Sequence, residues 1–216
     1  MKELTKKFLN DAEKKRVEAA VANAEKKTAG EIVVMIVPAS YSYPMAEIIG
    51  AAAFALPVSV LLSIYIGGLF WIGTRDMWLF MGIFVLAFMG FRFLVKRLFW
   101  LKRRFISKRE VAEEVQEAAV TAFYQNGLFR TRDETGVLIY ISVFEHKVWV
   151  LGDRGINEKV TRDAWEEVVD VIAGGIREKQ PAVAICTAVE SVGVMLAEHF
   201  PVKPDDTNEL KNLIIE

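Results

Sequence analysis

Residues 48–73 read IIGAAAFALPVSVLLSIYIGGLFWIG, an apolar run that carries no charge. At the helical rise of about 1.5 Å per residue it reaches roughly 39 Å, enough to cross a bilayer. After the break Thr74-Arg75-Asp76, a second run, MWLFMGIFVLAFMGFRFLV, extends from Met77 to Val95 with Arg92 as its single charge. Two spans and a tight turn predict a transmembrane hairpin within residues 48–101. Trp71 and Trp78 flank the turn and Trp100 lies at the far end, at positions where indoles favour the membrane interfaces. Pro57 is tolerable inside a span, because neighbouring helices or local adjustment meet the backbone groups it frees.

Seven cations follow the second span, Lys96, Arg97, Lys102, Arg103, Arg104, Lys108 and Arg109, with no acid before Glu110. The turn has only Arg75. By the positive-inside rule both ends of the hairpin face the cytoplasm, which predicts a multi-pass protein of the cell membrane with its soluble part inside. Within 96–109 the cations mix with Leu98, Phe99, Trp100 and Leu101, a composition suited to an interfacial helix lying against anionic lipid.

Outward from the hairpin the pattern becomes that of a soluble domain. On the amino-terminal side, Asn10 with Glu13 fits a capping box, and Val17, Ala20, Val21 and Ala24 recur at helical spacing up to Gly30, a helix stop. Glu31 to Val37, EIVVMIV, is a β-branched run ended by Pro38, whose near-continuous apolarity predicts a strand covered on both faces. On the carboxyl-terminal side, Ser107 with Glu110 opens a helix whose apolar face is Val111, Val115, Ala118, Ala119, Ala122 and Phe123, with Gly127 to end it. Gly136 to Phe144 and Lys147 to Asp153 then predict two strands in an antiparallel hairpin. Asp163 with Glu166 caps a further helix carrying Trp165, Val168, Val169 and Ile172, which Gly174-Gly175 weakens or stops. Pro181 begins a last helix reaching His199. The tail after Pro201 reads as mobile, except that Leu213 to Ile215 can dock.

A strand that returns to its neighbour through a helix is a right-handed crossover unit. The order therefore predicts a small α/β/α sandwich with a mixed sheet, in which Glu31 to Val37 pairs with Gly136 to Phe144 although the spans lie between them. The segments are 1–44 for the first part of the domain, 45–101 for the hairpin, 102–200 for the second part and 201–216 for the tail.

Composition narrows the function. A net charge of −1 and a pI near 6.2 give no basic balance and no nucleic-acid partner. Cys186 is the single cysteine, which excludes an intramolecular disulfide and a CxxC redox pair, and on its apolar helical face it reads as a buried small hydrophobe. The amino terminus lacks the apolar core and cleavage site of a secretory signal. The glycines match neither a P-loop nor a dinucleotide fingerprint, and there is no GxSxG and no HExxH. His146 falls in a turn and His199 at a helix end. The catalytic residues are unassigned, because no nucleophile with a positioned base is evident.

Acidic residues gather instead at predicted strand ends. Asp133 and Glu134 precede the second strand, Asp153 follows the third, and Asn157, Glu158 and Asp163 lie before the next helix. Oxygen donors at strand ends beside helix starts suit Ca²⁺ or Mg²⁺. Ordinary roles compete: a helix cap for Asp163, a turn for Asp153, and solvation or pairing to Arg130, Arg132 or Arg154 for Asp133 and Glu134.

TGVLIYIS, a charged turn, KVWVLGDRGI and the approach to Asp163-Ala164 together resemble the TPM domain family, over about residues 10–38 and 107–200. The resemblance implies the sandwich fold, a membrane tether and, through Asp133, Glu134, Asp153 and Asp163, a divalent-metal site. Gly136, Gly155, Ile156 and Asp163 match the family pattern. Glu134-Thr135 replaces Asp-Asn before the strand, and no second glycine follows Glu158. The expected function is an accessory or interaction module held at the membrane, with a protein partner. The alternative is a divalent-metal phosphatase acting on phosphoesters.

Overall fold

Glu31–Val37 forms β1, and all seven of its residues are buried. The computed structural model describes residues 2–70, 76–202 and 210–216. The expectations for Trp71 and for Thr74 and Arg75 of the turn lie outside the described residues, as do those for 203–209 of the tail. Two compact units emerge, one of residues 1–41 and 112–216 and the other of residues 42–111.

The first unit is built on a four-stranded mixed sheet of β1, β2 (Gly136–Ser142), β3 (Lys147–Gly152) and β4 (Leu213–Ile215), in the order β3-β2-β1-β4. β1 and β2 are parallel, from Glu31 opposite Gly136 to Val37 opposite Ser142, as the crossover reading requires. β2 and β3 are antiparallel, with Tyr140 opposite Trp149. The predicted second strand stops at Ser142, and Val143 to His146 make the turn. His146 takes φ 52° there. Leu213–Ile215 docks as β4, parallel to β1, so the carboxyl-terminal end of the tail is part of the sheet.

Alternation divides the sheet's side chains between two faces. Ile32, Val34, Ile36, Val137, Ile139 and Ile141 belong to the main core. They pack with α2 (Asp11–Glu25), α8 (Arg162–Arg177) and α9 (Pro181–His199). Met35, Val37 and Tyr140 face the other way, toward α6 (Lys108–Gln125), which buries Val115, Ala119, Ala122 and Phe123. Cys186 is buried on α9, and burial pushes its thiol pKa up.

Several local expectations are met and several corrected. Asn10 and Glu13 exchange both capping-box bonds, at 2.9 and 2.7 Å. Glu110 N–H donates to Ser107 Oγ at 3.0 Å, and Gly127 adopts φ 75° beyond α6. α2, however, ends at Glu25 with Lys26 as its cap, so Gly30 is no helix stop. It is the place where a Cβ would lie 2.8 Å from Leu196 Cδ1. α8 is capped by Thr161, with Asp163 one residue inside, and it runs through Gly174-Gly175 to Arg177. Two short helices escaped the periodicity reading: α1 (Lys2–Phe8) and α7 (Arg154–Asn157). Neither is long enough to show a repeat of apolar positions.

The second unit is dominated by α3 (Pro44–Phe70) and α4 (Asp76–Arg97), followed by α5 (Phe99–Arg103). The first helix starts before Ile48, and Asp76 belongs to the second helix rather than to the break. Among the described residues three helices are long and apolar enough to cross a membrane: Pro44–Phe70, Met77–Arg97 and Pro181–His199. Half of the third is buried in the domain core, against 22% and 6% for the first two.

Candidate functional site

The acidic residues sit on two loops that meet where β2 begins and β3 ends. Thr135 leads into β2, with its N–H donating to Thr131 Oγ1 at 3.0 Å and its hydroxyl to Ala29 O at 3.1 Å. This pins the Asp133-Glu134 corner, where Glu134 takes φ 54°. Both side chains are exposed. Across from them, Asp153 N–H donates to Gly136 O at 2.8 Å, so the residue after β3 is bonded to the first residue of β2.

Asp153 is the N-cap of α7. Its Oδ1 accepts from Arg154 N–H at 2.7 Å, while Oδ2 is buried without a hydrogen-bond partner. Asn157 Nδ2 donates to Gly152 O at 2.6 Å and closes the turn. A Cβ on Gly155 would lie 2.8 Å from Glu134 O and 3.0 Å from Asp133 O, so only glycine lets the loops approach this closely. The structure thus brings Gly155, two residues after Asp153, against the main chain of Asp133 and Glu134. Asp163 is exposed in the first turn of α8. Among the described residues no group of three or more His, Cys, Asp or Glu side chains is placed to hold a metal ion. Arg154 pairs with Glu158 at 3.3 Å in solvent, where such a pair contributes little.

A second constellation lies at the opposite, carboxyl ends of β1 and β2. Glu145 is 4% exposed and accepts Ser40 N–H at 2.9 Å and the Ser142 hydroxyl. Ser40 Oγ and Tyr140 Oη are 3.3 Å apart. Burial first, then the Glu145 and Glu216 carboxylates, holds the Tyr140 phenol above its ordinary pKa, against a lowering from Ser40. Tyr140 also borders an open cavity of about 350 Å³ lined by Met35, Ser40, Tyr41, Glu114 and Glu117. The sequence reading missed this group. The only signal was Glu145 itself, which beside His146 and Lys147 looks like any charged turn residue.

Known proteins bear on these loops. Residues 105–194 match the TPM domain. The matched stretch runs from just before α6 into α9 and includes β2, β3 and all four acidic candidates, so the TPM resemblance holds over that stretch. The chain is also similar in fold to the solved BA42 protein from the psychrophilic bacterium Bizionia argentinensis. Identity is 21% and the TM-score 0.59, over 97% of this chain and 96% of that one. No curated protein matches the chain.

Proposed function

We propose that this is a cell-membrane protein in which α3 and α4 form a two-span anchor and the TPM domain works in the cytoplasm, at the bilayer surface, as an accessory or interaction module. One observation carries the reading. Both helices have a mean hydropathy of 2.1, yet they leave Leu61, Ile64, Phe70, Leu86 and Phe93 exposed. A water-facing helix pair would hold far more apolar surface in solvent than folded soluble chains do. The cations after α4 support contact with anionic headgroups. Lys96, Arg97, Arg103, Arg104 and Lys108 are exposed beside Trp100, itself 68% exposed. Lys102 departs from the expected set of seven, because it is buried on Glu47 at 2.7 Å.

Two measurements test the anchor and its orientation. The full chain should stay with membranes through alkaline carbonate extraction, and release into the supernatant would overturn the anchor. Lys26→Cys and Glu178→Cys, both on exposed positions of the sheet unit, should resist a membrane-impermeant maleimide in intact cells and react after lysis. Labelling in intact cells would overturn the cytoplasmic placement.

A second reading, a divalent-metal phosphatase, draws support from the unpartnered Oδ2 of Asp153, on a loop that closes at Gly155 against the carbonyls of Asp133 and Glu134, since Ca²⁺ takes main-chain as well as carboxylate oxygens. Titration calorimetry with Ca²⁺ and Mg²⁺ decides it. Binding that Asp153→Asn abolishes, joined to phosphoester turnover, would favour it, and silence with both ions would remove it.

A further inference from the structure

β3 is the outer strand of the sheet beyond β2, and among the described residues nothing pairs with its other side. Natural edges carry devices against pairing, such as proline, bulges, inward charges or very short length. β4, at the opposite edge, is three residues long. β3 has six, and between Lys147 and Gly152 it reads VWVL, with no charge and no proline. Its backbone donors and acceptors on the outer side are therefore a template for another strand.

The edge lies in a groove of about 700 Å³, with α6 on one side and α8 on the other. Val115 and Gln116 of α6, Trp149 and Val150 of β3, and Trp165 and Val169 of α8 line it. Trp165 Nε1–H is buried there without an acceptor, a donor the single chain leaves unsatisfied. The charged residues along the same groove are Lys147 and Arg162 on one side of the balance and Glu166 and Asp170 on the other. Arg162 donates to Glu166 at 3.0 Å along α8, so Lys147 and Asp170, one charge of each sign, remain to face a partner and give no preference for an acidic or a basic peptide. They are what a patch that must complement itself requires, since in a two-fold interface each residue meets the same surface on its partner.

We propose that the β3 edge pairs antiparallel with the β3 edge of a second copy of this chain across a two-fold axis, joining two four-stranded sheets into one. Main-chain bonds between the edges supply the pairing, as in strand addition, and the tryptophans cover the seam. The inference goes beyond the membrane reading and stands whether or not α3 and α4 span a bilayer.

The test is the mass of the detergent-solubilised full chain by light scattering across a concentration series. A dimer is expected. Trp149→Lys places a charge on the seam, and Lys147→Glu, at an exposed position, reverses one sign of the balance without touching the core. Each should weaken dimerisation at least about tenfold, the consequence of roughly 1.4 kcal/mol. A chain that stays monomeric throughout overturns the proposal and leaves the groove to an extended segment of another protein. A dimer that neither variant weakens overturns it as well, by placing the contact elsewhere.

Discussion

Lys102 Nζ donates to Glu47 Oε1 and to Ser42 O, which ties the segment after α4 to the start of α3. The lysine and glutamate side chains are 7% and 12% exposed. Removing one partner of such a pair leaves the other charge buried without compensation. Lys102→Met should therefore lower the unfolding free energy by about 3 kcal/mol, and Lys102→Met with Glu47→Leu should recover most of it, in denaturant titrations of the solubilised chain. Tyr140 makes a second prediction, in pH. Burial holds its folded pKa above the ordinary phenol value of about 10. The neutral phenol thus contributes stability that is complete below pH 10 and is lost as pH rises through the raised folded value. Midpoints measured across that alkaline range should fall for the native chain and fall less for Tyr140→Phe. Neither role is legible locally. Lys102 sits in a run of look-alike cations, and its burial depends on a carboxylate 55 positions earlier; Glu145, likewise, is recognised as buried only when Ser40 arrives from the far side of the hairpin.

Helix packing turns on small residues whose worth depends on what faces them. Gly174 and Gly175 are neighbours inside α8, and the sequence reading took them together as a weak point or stop. Their surroundings differ. A Cβ on Gly174 meets nothing within 4 Å, whereas one on Gly175 would lie 2.2 Å from Ala184 Cβ. Gly174→Ala should stabilise by about 0.5–1 kcal/mol through helix propensity alone, and Gly175→Ala should destabilise by about 1–3 kcal/mol by forcing α8 and α9 apart. Thermal melts of the two variants should move in opposite directions. At this scale the sequence was most informative where one local rule decides the outcome. The Asn10 capping box, the Pro181 start and the apolar strands all obey such rules. It was least informative where packing overrides the rule, as in the continuation of α8 through two glycines held against α9.

The sheet closes from three distant parts of the chain. Glu216 N–H donates to Ile36 O at 3.2 Å, and Thr5 Oγ1 donates to Glu216 O at 3.0 Å, so β4 sews the carboxyl-terminal end to β1 and α1. Deleting residues 213–216 should cost roughly 2–4 kcal/mol, from several lost hydrogen bonds and the exposure of apolar side chains, and should show as a lower denaturant midpoint. The mixed sheet and the interruption were legible, because two apolar strands of matching length flank the long runs. The approach of the Gly155 loop to the Asp133-Glu134 corner was legible only as proximity to strand ends, because the close contact rests on a missing Cβ that periodicity does not register. The parallel pairing of β1 with β2 has a further consequence, in time rather than space. About a hundred residues separate Val37 from Gly136. At roughly 5–20 residues per second, β1 leaves the ribosome many seconds before its neighbour exists. A seven-residue, mostly apolar strand must wait without β2 while α3 and α4 are made, so the chain's most aggregation-prone interval falls during its own synthesis, and the long apolar helix pair is complete before the sheet it interrupts can begin to close.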